Sequence, residues 1–223
     1  MNQPLSPPPY DFWLKWNEFN EIDRQWLKWA GLFCVSAFAE RRVWIDMGHY
    51  TIYPNLYVIL VAESGKFKSS TIKQIRKVID EGNRLTNEND SIFVLPDCES
   101  REALVAGWED HVKADMLGQP FTPACAILTE LKHFLSINPT AMIEFLVTVF
   151  DYEGEYRMKT IKHDEQQVMN PCLTLFACST PERMSECMSE DIIGEGLARR
   201  TILVKSGHPR SKIAFPNVSD DAL

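Results

Sequence analysis

No run of eighteen apolar residues occurs in this 223-residue chain, the length a membrane-crossing helix needs. The opening Met1-Asn2-Gln3-Pro4 lacks the charged-then-apolar plan of a secretory leader, so a cytoplasmic location is expected. The six cysteines form no C-x-x-C pair and no cysteine–histidine spacing of a zinc site, which leaves reduced, buried thiols as the reading. Excess basic charge is also lacking: the formal net charge is −8, which excludes a protein that coats nucleic acid with its whole surface, while a locally basic loop or channel remains open. Glycine is scarce where it would be most useful, as the turn after the first strong strand shows.

What is present is a chain of ordinary globular composition, 45% hydrophobic and 24% charged, long enough for one substantial core with an accessory segment. Residues 1–9 are proline-rich and read as a lead segment. From Tyr10 to Arg42 aromatics recur at helical spacing: Phe12, Trp13, Trp16 and Phe19, then Ile22, Trp26, Trp29, Ala30 and Phe33. A row of tryptophans can stack bases, but this spacing is that of a two-helix element packed on the main domain.

Beyond it, five apolar strand candidates alternate with helical segments. The strands are Leu56–Val61, Ser91–Leu95, Ala124–Thr129, Cys172–Cys178 and Thr201–Lys205; the helices are Thr71–Arg84, Arg101–Ala114, Thr140–Phe150 and Pro181–Ile193. Near-continuous apolar strands between helices indicate an α/β fold, a five-stranded, mostly parallel sheet covered on both faces. The expected organisation is an N-terminal helical element (1–45), the α/β core (46–206) and a polar tail (207–223) that reads as truncated.

The first strand runs into Ala62-Glu63-Ser64-Gly65-Lys66-Phe67-Lys68-Ser69-Ser70 and then a helix. Strand, small-residue turn, Lys-Ser and helix is the plan of a phosphate-binding loop. Backbone N–H groups at the turn and helix start meet phosphate oxygens, Lys68 supplies a point charge, and the Ser69 hydroxyl can hold Mg²⁺. Against G-x-x-x-x-G-K-[ST], Ala62 and Phe67 stand where glycines belong, and Gly65 alone remains to relieve the turn. A surface turn with two solvated lysines is the competing reading.

Three further features follow in order. The strand Ala124–Thr129 ends in Glu130, a carboxylate that can polarise an attacking water at the end of a strand adjacent to the loop; Thr129 replaces the usual preceding Asp and can reach a metal only through water. The alternative for Glu130 is a first-turn residue favoured by the helix dipole. The strand Cys172–Cys178 ends in Ser179-Thr180-Pro181-Glu182, where Ser179 can sense a terminal phosphate while Thr180 caps the next helix. Arg199 and Arg200 lie between the fourth helix and the fifth strand, on a rim from which one of them can serve a neighbouring subunit as an arginine finger.

This ordered set resembles the helicase-type P-loop ATPase domain of phage, plasmid and mobile-element replication proteins, within the AAA+ / RecA-like superclass. The resemblance spans about Arg41 to Val204. It rests on Arg41-Arg42-Val43-Trp44, Tyr53-Pro54-Asn55-Leu56-Tyr57-Val58, Leu128-Thr129-Glu130-Leu131, Asn170-Pro171-Cys172-Leu173 with Ser179-Thr180-Pro181-Glu182, and Gly196-Leu197-Ala198-Arg199-Arg200. It implies ATP and Mg²⁺ as cofactors, a homo-oligomeric, hexameric ring, single-stranded DNA and other replication proteins as partners, and no membrane. By it Glu63–Ser70 take the nucleotide, Ser69 and Thr129 the metal, and Glu130, Ser179 and Arg200 (or Arg199) the chemistry. A nucleotide-gated loader with little turnover is the alternative that the missing glycines allow.

One segment lies outside these parts. Asp151–Met169 is longer than an ordinary connection and reads as a β-hairpin whose tip, Lys159-Thr160-Ile161-Lys162-His163, is basic. Ring helicases place a DNA-contacting hairpin at this topological position, so by that resemblance Lys159, Lys162 and His163 are the candidate DNA contacts, against the reading of an ordinary surface hairpin.

Overall fold

The computed structural model describes Trp13, Asn17 and residues 21–159, 166–187 and 196–205. The helices are α1 (Arg24–Ala39), α2 (Lys68–Leu85), α3 (Arg101–Trp108), α4 (Leu131–Phe134), α5 (Pro139–Phe150), α6 (Pro181–Cys187) and α7 (Leu197–Arg200). The strands are β1 (Ile45–Asp46), β2 (Thr51–Ile52), β3 (Tyr57–Val61), β4 (Lys113–Ala114), β5 (Pro120–Leu128), β6 (Glu155–Met158), β7 (Gln166–Met169), β8 (Pro171–Ser179) and β9 (Thr201–Lys205).

The central sheet has the order β4-β5-β8-β3-β9, parallel except for β4. The α/β, five-stranded, mostly parallel expectation holds at that level. The inner strands are largely apolar because both faces are covered: every residue of β8 is buried, and so are all of β5 after Pro120. On one face α1 and α2 lay Trp26, Phe33, Ile72, Ile75 and Ile79 against Val58, Leu60 and Phe176. On the other, α3, α5 and α7 pack Trp108, Phe145, Leu146 and Leu197 against Tyr57, Ala126 and Leu175. Each of the three α2 isoleucines contributes about 1.5–3 kcal/mol by leaving water.

Trp13, Trp26 and Trp108 are buried in the core, and Trp29 packs against it partly buried. Trp13 is buried, donates its indole N–H to the Leu27 carbonyl at 2.7 Å, and lies over Gly31, where an added Cβ would come within 2.5 Å of the ring. The N-terminal element thus shares its core with the sheet.

Two expected elements are shorter than the pattern suggests. Ser91–Leu95 supplies a single parallel bridge, Val94 to Cys125, with the Leu95 N–H on the Cys125 carbonyl at 2.8 Å. The outer edge of β5 is shared with β4, which pairs through Lys113↔Phe121. The helix expected over Arg101–Ala114 stops at Trp108. Tertiary contacts override its helical pattern there: Lys113 is drawn to Glu40 (2.6 Å) and the Asp90 carbonyl (3.0 Å), and His111 stacks on Phe93 with ring centroids 3.9 Å apart. The helix over Pro181–Ile193 is described as far as Cys187.

The predicted hairpin is present: β6 and β7 pair antiparallel from Glu155↔Met169 to Met158↔Gln166. Met158 and Val168 anchor it in the core. No described helix is long and apolar enough to cross a membrane.

Candidate functional site

The strand register assembles the site. Val61 of β3 pairs with Ser179 of β8, and Leu128 of β5 pairs with Ala177, so Ser179 and Glu130 emerge side by side at the carboxyl edge, beside the loop that leaves β3. Against the expectation from the sequence, the strand carrying Glu130 is not the direct neighbour of β3; β8 lies between them and puts Ser179 in the gap. The helix leaving β3 covers one face, while the segment leaving β8 packs Met184 and Leu197 on the other. The crevice between such diverging connections is where ligands settle in open α/β sheets.

That crevice is a cleft of about 530 Å³, within the range of small-molecule sites. Its walls are Ser64–Ser70 from the loop and the start of α2, Thr129 and Glu130 after β5, and Thr180, Glu182 and Arg183 after β8. Glu63 takes part through its carbonyl.

The loop closes without two of the expected glycines by unusual backbone geometry. Gly65 has φ +79° with open space around it. Phe67 adopts the left-handed conformation (φ 56°, ψ 14°) at the N-cap of α2, with its ring 46% exposed. A side chain in that region costs roughly 1–2 kcal/mol relative to glycine. Thr71 then secures the first turn, its N–H and hydroxyl both donating to the Phe67 carbonyl.

Phe67 has no side chain able to cap, and α2, at 18 residues, starts uncapped. The N–H groups of Phe67, Lys68, Ser69 and Ser70 find no acceptor among the described residues. By contrast α1, α3, α5 and α6 are capped by Asp23, Ser100, Asn138 and Thr180. Lys68, the first residue of α2, bends back so that its ammonium donates to the carbonyls of Ala62 and Glu63. Cys178 packs beneath, its Sγ 4.0 Å from the Lys68 carbonyl, and burial pushes that thiol up to about 12.

Across the cleft, the Glu130 carboxylate accepts from the Ser179 hydroxyl at 3.3 Å and from Arg183 Nη1 at 2.5 Å. Ser179 is fully buried, and Thr180 caps α6 by accepting from the Arg183 N–H at 3.3 Å. The residue expected to sense a phosphate and the helix cap are thus consecutive. Arg183 was not legible as a site residue; the available signal was its place one turn beyond a capping Thr at a strand tip.

Several expected residues lie elsewhere. Arg200 precedes β9, whose first residue, Thr201, pairs with Tyr57 at the start of β3; a strand length of roughly 13 Å, at about 3.3 Å per residue, separates it from the loop edge. It is tied to Asp151 through Nη2 at 2.7 Å, and Arg199 is exposed. Lys159 is exposed at the end of β6, and Lys162 and His163 fall outside the described residues.

The arrangement can hold an anion with fixed N–H dipoles and cations on one wall and an oriented carboxylate on the other. The chain matches no protein-family model, and no curated protein was found to be similar to it.

Proposed function

We propose that this chain is an ATPase module, the motor domain of a DNA helicase or translocase like those of phage, plasmid and mobile-element replication proteins, working as an oligomeric ring. The observation that carries the reading is the uncapped start of α2, with Lys68, facing Glu130 and Ser179 across one cleft.

The cleft residues fit a nucleotide with its metal. Unpaired N–H groups at the α2 start and the Lys68 ammonium suit a phosphate chain, since they supply positive partial and full charge. The described residues include no group of three His, Cys, Asp or Glu suited to a resident metal. The Ser69 hydroxyl would hold Mg²⁺, with Thr129 contributing through water. Bound there, it would neutralise charge on the phosphate oxygens. Glu130 would orient and accept a proton from the attacking water, held in place by Ser179. Arg199 or Arg200 would act only on a neighbouring subunit's cleft.

A second reading, a nucleotide-gated loader with little turnover, is favoured by Phe67. Its side chain occupies the left-handed position that glycine would leave pliable, so the loop is stiffer than its pattern implies. ATP turnover measured with and without single-stranded DNA, on the wild type and on Glu130→Gln, decides between them. The motor reading expects DNA-stimulated turnover that falls at least about a hundredfold in the Gln variant, with nucleotide binding kept. Binding without turnover in the wild type selects the loader, and absence of nucleotide binding removes both.

A further inference from the structure

Among the described residues lining the cleft, Arg183 is the cation whose place is set by a strand tip rather than by the loop. Its backbone is fixed: the Thr180 hydroxyl and carbonyl take the N–H groups of Arg183 and Met184 at 3.3 and 2.8 Å, and Met184 is buried in the core. Its side chain is half exposed and lines the cleft opposite Lys68 and Ser69. A guanidinium carries five N–H donors in a planar fork. Nη1 is committed to Glu130 Oε2 at 2.5 Å; the other guanidinium donors meet no acceptor among the described residues.

A purely structural account of the pair is weak. The neighbouring segments are already joined by Lys132 and Glu186 at 2.5 Å, and α6 is anchored through Met184 and its continuity with β8. A half-exposed ion pair adds about 0–1 kcal/mol of stability. Geometry of this kind is more consequential as positioning. One carboxylate oxygen of Glu130 is held by Ser179 and the other by Arg183, so the orientation of Glu130 depends on where that guanidinium sits.

We propose that Arg183 binds the terminal phosphate of a nucleoside triphosphate in this cleft, from within the same subunit, while its Nη1 keeps Glu130 aimed at that phosphate. Glu182, on the same wall, adds a carboxylate. It raises the value of a correctly placed cation there, since the terminal phosphate must approach two acidic side chains. The proposal rests on the nucleotide reading above and adds to it a named discriminator between triphosphate and diphosphate.

The test is a titration of the whole chain with ADP and with a non-hydrolysable ATP analogue, in wild type, Arg183→Gln and Arg183→Lys. Losing a charge-assisted bond to phosphate should weaken the triphosphate analogue about ten- to hundredfold in the Gln variant and leave ADP unchanged. The Lys variant, which keeps the charge without the fork, should recover part of the loss. Equal losses for both nucleotides, or no loss for either, would overturn the proposal while leaving the nucleotide site standing. If wild-type protein binds neither nucleotide, the nucleotide reading fails and this inference with it. Thermal unfolding of the Gln variant checks that the fold survives.

Discussion

The Lys68 ammonium donates to the Glu63 carbonyl at 2.9 Å, closing the loop over the side chain proposed above as the phosphate ligand. Lys66, two residues earlier, is exposed on the loop with no such bond among the described residues. Lys68→Ala should therefore reduce ATP-analogue affinity about ten- to hundredfold or more, and Lys66→Ala much less. Titration of both variants checks this. A larger loss at Lys66 would show that the loop is read in the wrong register.

Phe67 permits a prediction free of any functional assumption. At φ 56° a Cβ is disfavoured, so Phe67→Gly and Phe67→Ala, which both remove the ring, should differ in stability. The Gly variant is expected to be the more stable by about 1 kcal/mol, the reverse of the order inside a helix. Denaturant unfolding of the pair measures it; an Ala variant of equal or greater stability would mean the loop relaxes out of the left-handed conformation.

Much of this architecture was written in the sequence, for reasons visible in particular residues. Strands β3, β5 and β8 are largely apolar runs because both sheet faces are covered there. Thr180 before Pro181 signalled a cap and was one. What the pattern missed depended on long-range partners. Ser91–Leu95 is as apolar as a strand but pairs only at Val94, because β4 takes part of the same edge of β5. The helix after Arg101 ends where Lys113 meets Glu40, a residue buried to 3% exposure whose φ of 52° no local rule anticipates. Arg183 was invisible for the same reason: its partner, Glu130, is remote in sequence, and only the register of β5 on β8 brings them together.

Arg200 distinguishes a trans role from a structural one. Its ion pair with Asp151 is partly solvated and contributes about 0–1 kcal/mol. If Arg200 serves a neighbouring cleft, Arg200→Ala should lose about a thousandfold or more in turnover, whereas Asp151→Ala, which only releases the guanidinium, should not. Mixing Arg200→Ala with Lys68→Ala protein should restore part of the activity, because each contributes the half-site that the other lacks. Equal losses in the Arg200 and Asp151 variants would make the pair structural, and full activity from a strictly monomeric protein would exclude the finger.

The hairpin offers the remaining test. Its strands are held in the core by Met158, in the last pair before the tip, and by Val168. Lys159 is exposed where β6 ends, and the tip sequence adds Lys162 and His163. In a chain of net charge −8, DNA affinity must come from such a local basic projection. Each phosphate neutralised on a single strand contributes about 0.7 to the slope of log affinity against log salt. The double variant Lys159→Ala/Lys162→Ala should thus weaken single-stranded DNA binding at low salt and flatten that slope by about 1.4, while ATP-analogue affinity stays as in the wild type. Binding isotherms at several salt concentrations measure both quantities. A variant with wild-type affinity and slope would make the hairpin an ordinary surface element and move the DNA contact elsewhere.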